Sequence, residues 1–585
     1  MRISIRLLSK FDILTSMIVI LLQKLVQDAL AGAGMTGDVV HVSANSDSSK
    51  GDFSTTIAMS CAKKYKTSPL LLGELLKKGI EKGAHPLISK IEVVPPGFVN
   101  FWINDAWLGD ILLQSNKPFI AKDSRVKKYF IEYAHPNTHK EMHIGHMRTL
   151  ITGESVARLL ESAGHDVFRA NYQGDIGPHV AKSLYGIERL LKDRHMELAD
   201  LADWSNSEKA HFLGEGYALG STEYENEKER IDAINNQLYE EGSETNKLYK
   251  ITRKWSLDYY EDFYNRFYTV FDRLFFESEV ARDGMKIVQD HLGTIFEKQN
   301  GAIVFPGEKY GLHTRVFITQ AGNPTYEGKE MGNAFAEYKA FPFDKKIHVV
   351  GNEQEGYFKV VFKALDLLDA EKFKDKQHHI SMGMVQFADR KMSSRTGDVL
   401  RVDWLIDQVK SKVKEIMKGE RISSEDFEDT VEKIAIGAIK YSVLQVGTGQ
   451  NVTFSIDTSV SLDGNSGPYI QYSYARTQSV LRKVQIEANS GLSSIAELTP
   501  EEHSLGILLT RFDESIALAV RTLAPNVITG YLFEIAQAFN HFYQKCPILQ
   551  ADDEKRAMRL HLTRLAGETI KKGLDLLGIS APERM

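Results

Sequence analysis

Between Lys128 and Tyr172 the period of the apolar positions changes twice, and this stretch organises the reading of the whole chain. Tyr129, Phe130 and Ile131 form a short apolar run that suits a brief buried strand. His135-Pro136-Asn137 ends it, because the residue before a proline is pushed out of helical geometry. From Gly145 a helical period takes over, with Leu150, Gly153, Ala157 and Leu160 on one stripe, until Ala163-Gly164 supplies a left-handed stop. Val167 to Ala170 then reads as a second strand. Strand, loop, helix and strand in this length predict a right-handed crossover unit, whose ligand lies beyond the carboxyl end of the first strand. His143-Ile144-Gly145-His146 falls at that helix start.

The flanking patterns are coarser. Residues 40 to 115 suggest a small α/β domain, in which the strand PPGFVNFWI alternates Val99, Phe101 and Ile103 with Phe98, Asn100 and Trp102 on the opposite face. Residues 185 to 310 are acidic and helix-like, which suits a connective insertion that splits the nucleotide fold, with Phe271 to Ser278 returning to the pocket. The fold resumes with His313 to Thr319 and Ile347 to Val350, and Ile380 to Phe387 reads as one further strand. Beyond Val402 the pattern is helical to the end, and Val527, Ile528, Tyr531, Ile535, Phe539 and Phe542 share one helix face, as in a bundle.

A helix start favours an anion, Gly145 removes a side chain that would hold a flat ring away, and two imidazoles can donate to a polyphosphate. Zinc is the competing reading, since His135, His139, His143 and His146 are three or four residues apart. Pro136, Asn137 and Gly145 break the continuous helix such spacing requires, and no HExxH is present, so no metal site is expected. Downstream, Lys391-Met392-Ser393-Ser394-Arg395 follows the strand ending at Phe387 on a basic, Ser-rich segment, where a lysine could close over a triphosphate.

His-Ile-Gly-His and Lys-Met-Ser, in this order and each after a strand, resemble the two signatures of the class I aminoacyl-tRNA synthetases. Further stretches resemble the arginyl-tRNA synthetase family over nearly the whole chain. They are Ile131-Glu132-Tyr133-Ala134-His135-Pro136-Asn137, Asn171-Tyr172-x-Gly174-Asp175-x-Gly177, Phe271-Asp272 with Glu277-Ser278, Tyr326, Gly464 to Tyr472 and Gly573 to Ile579. The resemblance implies an α/β fold, with a Rossmann-like parallel-sheet catalytic domain carrying a helical insertion, a small N-terminal α/β domain and a C-terminal α-helical bundle. The boundaries expected are 17–118 for the tRNA-contacting N-terminal domain, 119–402 for the catalytic domain with its insertion at 185–310, 403–455 for a connecting helical region and 456–585 for the anticodon-binding bundle.

The implied activity is ATP-dependent attachment of L-arginine to tRNA(Arg), with tRNA needed even for the first step. Carried over position by position, Glu277, Tyr326 and Glu330 face the guanidinium, a planar fork that carboxylates grip in bidentate fashion, while Asn137 and Gln354 face the amino group with Glu132 close by. ATP is expected against Lys140, His143, Gly145, His146, Met384, Lys391, Ser393 and Arg395, and His143, His146 and Lys391 are the expected catalytic residues. Asn100, Trp102, Arg476 and Tyr543 are expected to meet tRNA. Three positions depart from the family pattern. Glu330 stands where an Asp is usual, Tyr357 stands where Gln-x-x-His would place a histidine after Gln354, and Thr396 follows Arg395 where a second lysine is usual.

Composition narrows the alternatives. At 585 residues the chain should hold about three or four domains, and 43% hydrophobic with 26% charged residues is ordinary for a soluble protein. A net charge of -6 gives no global attraction to nucleic acid, so RNA must be met by local patches. Cys61 and Cys546 cannot build a disulfide framework and fit a reducing cytoplasm. The basic start, the short apolar run Ser16 to Leu22 and Ala29-Leu30-Ala31 mimic a signal peptide, but the run merges into the amphipathic QKLVQDAL, so Met17 is expected as the start and 1–16 as a disordered extension. A monomer without membrane contact is expected, with Mg2+ accompanying ATP. The rivals are another HIGH-containing nucleotidyltransferase or a synthetase for a different amino acid, disfavoured by the Glu277/Glu330 pair, and a non-enzymatic RNA-binding paralogue, disfavoured by His143, His146 and Lys391 together.

Overall fold

The computed structural model describes residues 17–45, 47–114, 122, 123, 125–238, 240, 242–388, 401–418, 424–484 and 497–585. The expectations for residues 1–16 and for Lys391, Ser393, Arg395 and Thr396 lie outside the described residues.

The chain opens with α1 (Met17–Gly32), β1 (Ser43–Ala44), β2 (Phe53–Thr55), α2 (Ile57–Cys61), α3 (Pro69–Lys82), β3 (Ile88–Val94), β4 (Phe98–Ile103) and α4 (Asp105–Gln114). It continues through β5 (Lys128–Glu132), α5 (Ile144–Ser162) and β6 (Asp166–Gln173) into four helices, α6 (Pro178–Asp193), α7 (Asn206–Thr222), α8 (Lys228–Gln237) and α9 (Glu244–Arg266). Next come β7 (Arg273–Phe276), α10 (Glu277–Asp290), β8 (Glu297–Gln299), β9 (Ala302–Phe305), β10 (Arg315–Ile318), α11 (Tyr326–Ala340), β11 (Lys345–Gly351), α12 (Glu355–Leu368), α13 (Ala370–Phe373), β12 (Gln377–Met382) and β13 (Val385–Phe387). The remainder is α14 (Val402–Ile416), α15 (Ser424–Leu444), β14 (Val452–Phe454), α16 (Ile456–Ser459), α17 (Gly467–Arg482), α18 (Pro500–Leu509), α19 (Phe512–Thr522), α20 (Asn526–Lys545) and α21 (Asp553–Leu576).

Five parallel strands in the order β12-β11-β5-β6-β7 form the central sheet. The chain moves outward from β5 in one direction and returns to β11 on its other side, so the carboxyl ends of β5 and β11 flank a topological switch point, where such sheets bind ligands. One face of this sheet, with Ile131, Ile347 and Val349, shares a core with Leu150 and Val156 of α5. The other, with Phe130 and Ala170, packs against Met331 and Ala334 of α11 and Val360 and Val361 of α12. The predicted β5-α5-β6 unit is present, and α5 lies so close to the strand exit that a Cβ at Gly153 would collide with the Tyr133 ring.

Three sequence readings are corrected here. Ile380 to Phe387 is two strands, because Gly383 turns the chain where a Cβ would strike the Gln450 carbonyl. The region after Val402 is not wholly helical, since β14 comes back to pair in parallel with β13. Asn100 does not lie on an open RNA-stacking face. It is 4% exposed, on an inner strand between β2 and β3 with Ser54 and Glu92 opposite it. Trp102 is half-buried, carries the Lys90 ammonium 4.3 Å over its ring, and lines a groove of about 1100 Å³ shared with His503 and Arg511.

Polar side chains tie the layers across long sequence separations. His503 joins the N-terminal sheet to the helical bundle, with Nδ1 2.6 Å from Asp105 and Nε2 3.0 Å from Asp52. The buried Lys440 ammonium donates to the carbonyls of Phe267 and Gly578, each at 2.6 Å. In the same corner the Ser155 hydroxyl of α5 donates to the Leu576 carbonyl at 3.1 Å, and Gln471 donates to the Ser580 carbonyl at 2.7 Å.

Within the four-helix insertion, glycines let α6 and α7 cross backbone to backbone: a Cβ at Gly186 would strike the Gly216 carbonyl, and one at Gly220 the Lys182 carbonyl. Gly220→Ala should therefore lower stability by about 1–3 kcal/mol, the usual cost of overpacking. Denaturant unfolding checks this, and an unshifted midpoint would show that the crossing can relax.

Candidate active site

The loop from β5 to α5 is held in unusual backbone geometry. Ala134, His135 and His139 have φ of 77°, 52° and 64°, left-handed values that non-glycine residues adopt only when the surroundings impose them. His139 is pinned by Ser256 and Thr252 of α9, with its Nε2 2.8 Å from the Thr252 hydroxyl. The four histidines that suggested zinc therefore point to different partners: His139 to the insertion, His135 to Glu132 at 3.5 Å, and His143 and His146 to each other, stacked with centroids 3.6 Å apart.

His143 caps α5 through its ring, whose Nδ1 accepts from the amides of Gly145 (3.1 Å) and His146 (3.3 Å). A neutral ring accepting at Nδ1 carries its proton on Nε2, which makes Nε2–H a donor. Burial pushes His143 down to about 4 and lowers His146 as well, so both are neutral at neutral pH and act on an anion through N–H groups rather than charge. Gly145 between them is exposed. Lys140 lies 4.2 Å over the ring of Tyr217, on α7 of the insertion. On the far side, buried Arg148 of α5 binds the carbonyls of Met384 (2.9 Å), Thr448 and Gln450, which fixes the exposed Met384 beside α5.

The structure brings most of the expected amino-acid site together. Glu132 ends β5, Glu277 opens α10, and Tyr326 and Glu330 lie on the first turns of α11. A Cβ at Gly174 would collide with Asn137 Oδ1 and lie 3.6 Å from the Glu277 carboxyl carbon, so one close approach places both residues. Tyr172, whose buried hydroxyl finds no hydrogen-bond partner among the described residues, is pushed up by its burial and then by the charges of Glu277, Glu330 and Glu132. Gln354 stands apart, exposed on the turn after β11.

Residues for which the sequence reading named no site role hold this array. Asp175, fully buried, accepts from the Ser278 amide (2.9 Å) and hydroxyl (2.7 Å), from Arg253 (2.8 Å) and from Tyr249 (3.1 Å), locking the start of α10 to β6 and α9. Lys346 lies beneath the pocket, 2.7 Å from Glu132, 3.9 Å from Glu330 and hydrogen-bonded to Glu337. Its neighbours diverge. Glu132 is held below its ordinary range: its burial works against that, but Lys346 and His348 outweigh it. Glu330 is pushed up to about 8 by burial and the neighbouring Glu132 charge. Among the described residues, Glu132, Glu330 and His348 are the group whose ligand atoms converge as for a metal, but the Lys346 ammonium is already there.

Three family models match the chain: "tRNA synthetases class I (R), catalytic domain" over residues 108–456, "Arginyl tRNA synthetase N terminal domain" over 21–103 and "DALR anticodon binding domain" over 470–585. The parallel sheet, its switch-point helix start and the first of these matches make this a class I aminoacyl-tRNA synthetase. Among curated relatives, the arginine–tRNA ligase of Alteromonas mediterranea is 30% identical over 581 residues, 95% of this chain and 98% of that one. That of Fusobacterium nucleatum is 29% identical over 558 residues, 93% and 95% of the two chains. The chain belongs to the arginyl-tRNA synthetase family. The arginyl-tRNA synthetase of Thermus thermophilus shares the fold, with a TM-score of 0.79 at 24% identity over 97% of this chain and 100% of that one.

Removing one partner from a buried ionic cluster leaves an uncompensated charge, so Lys346→Met should cost about 3–5 kcal/mol. Adding Glu337→Gln should return part of that loss, a non-additivity measurable by a double-mutant cycle in denaturant.

Proposed function

We propose that this protein joins L-arginine to tRNA(Arg) using ATP, through an arginyl-adenylate, with release of AMP and pyrophosphate. The observation that carries the reading is the gathering of Glu277 and Glu330, buried carboxylates suited to a cationic side chain, at a switch point that also holds the histidine-capped start of α5. Glu277, Glu330 and Tyr326 take the guanidinium, and Asn137 takes the amino group with Glu132 behind it. Gln354 joins them only by a shift of the turn after β11.

In the first step the arginine carboxylate attacks the α-phosphorus of ATP and pyrophosphate leaves, with no general base required. His143 and His146 donate N–H groups to the phosphate oxygens, and Lys140 and Lys391 supply positive charge, with Ser393, Arg395, Gly145 and Met384 lining the nucleotide. Magnesium arrives on ATP as part of the substrate, because the cluster under the pocket is unsuited to it. In the second step the 3′-terminal ribose hydroxyl of tRNA attacks the adenylate carbonyl and AMP leaves. The RNA is met by Trp102 in its groove and by Arg476, whose guanidinium lies 4.7 Å over Tyr472 and 5.3 Å over the part-exposed Tyr543. The setting is the cytoplasm, where buried Cys61 and Cys546 stay reduced, and the chain acts as a monomer.

Arginine-dependent ATP–pyrophosphate exchange tests this, run with and without tRNA and with lysine as control. Exchange requiring arginine and tRNA is expected; no exchange with arginine under either condition would end the reading. Lys391→Ala should lower turnover far more than arginine affinity, and equal losses in both would remove its role. The pH dependence has a definite sign. Glu330 holds a proton below about 8, and a guanidinium prefers the carboxylate, so binding releases that proton. KM for arginine should therefore fall as pH rises toward about 8 and level off above it, and Glu330→Gln should raise KM and flatten the profile.

A further inference from the structure

Two lysines stand against the carboxylates of the amino-acid pocket, and they differ in how they are held. Lys346 is 1% exposed and bound on three sides by Glu132, Glu330 and Glu337. Lys329, on the second turn of α11, has one ionic partner among the described residues, the Glu277 carboxylate at 2.5 Å, and its ammonium lies 5.4 Å from the ring centroid of Tyr326. Beside it are Gly177, whose Cβ would stand 3.9 Å from Nζ, and the half-buried His179. Tyr326 is more than half exposed, whereas Lys329 is buried at 7% exposure beneath that ring and Lys346 lies deeper, at the floor.

Glu277 is the carboxylate placed against the substrate guanidinium, yet here a side chain of the same charge already occupies it. We infer that Lys329 is the resident counter-ion of the arginine side-chain seat, displaced only by a ligand that brings positive charge of its own to Glu277. The inference rests on the assignment of Glu277 to the arginine side chain. A guanidinium replaces the ammonium charge for charge and, being a planar fork, adds a second hydrogen bond that a point charge cannot make. A neutral side chain of the same shape must move Lys329 away and leave Glu277 buried without a cation, at the full desolvation cost of that carboxylate. The lysine thus makes the seat demand charge as well as shape. Burial already pushes the Glu277 carboxyl up, and Lys329 is the group that pulls it back. Without the lysine, burial acts unopposed on the carboxyl and shifts it further toward the protonated form, which can pair with a neutral ligand.

Citrulline, the neutral isostere of arginine, is the probe. Its inhibition constant and the KM for arginine are measured in tRNA aminoacylation by the wild-type chain, Lys329→Met and Lys329→Gln. The ratio of citrulline inhibition constant to arginine KM is expected to fall in both variants, by about tenfold for each unit by which the carboxyl's proton affinity rises. An unchanged ratio in folded, active variants would overturn the inference, as would a rise in arginine KM with no gain by citrulline. Lys329→Arg, which keeps a cation on Glu277 and grips it with a fork, covers the case in which neither variant folds: it should raise the arginine KM, and an unchanged KM would overturn the inference. A wild-type chain inactive with arginine would instead remove the assignment of Glu277 itself.

Discussion

A single ammonium under the central sheet sets the geometry of everything above it. Lys346 sits on β11 beside β5 with almost no solvent contact, and its position is satisfied only if Glu132 from β5 and Glu330 and Glu337 from α11 converge on it. Such a cluster adds little net stability over apolar packing, but breaking it is expensive, so it selects one arrangement of strand and helix over near alternatives. The floor of the pocket is therefore the sheet itself. The ligand-facing carboxylates are presented by elements already locked for another reason, which is what preorganised recognition requires.

The insertion is a wall of this site as well as a connection through it. Asp175 draws Arg253 and Tyr249 of α9 to the start of α10, Thr252 and Ser256 hold His139 in the signature loop, and Tyr217 of α7 lies under Lys140. Helices that read as an acidic spacer thus carry side chains into both the amino-acid and the nucleotide halves. Glycine crossings keep α6 and α7 in tight register, so these side chains arrive at fixed positions.

The β5-α5-β6 unit was legible because its information is local: an apolar run, a proline, a helical stripe and a glycine stop each act within a turn of the chain. Glu277, Tyr326 and Glu330 were legible by resemblance, and the structure gathers them. Lys329 and Lys346 were not, since nothing beside a lysine in sequence says that carboxylates from β5, α10 and α11 will enclose it. Asn100 was misplaced because alternation assigns a face but not which side chains on it are covered: Phe98 and Trp102 share that face and stay part-exposed while Asn100 is buried. The break at Gly383 depends on the backbone near Gln450, beyond the reach of any local pattern.

The corner where Lys440 meets the carbonyls of Phe267 and Gly578 bears on how the molecule is made. Residues 575–580 bind α5 through Ser155 and Arg158, α15 through Lys440 and α17 through Gln471, yet they leave the ribosome after all three. Until they arrive, Lys440 lacks one of its two acceptors, the Gly578 carbonyl; in the folded chain burial is the main cause that pushes its ammonium down to about 7. The contacts that tie α5, α15 and α17 to the carboxyl end of α21 can therefore form only after that end has been synthesised.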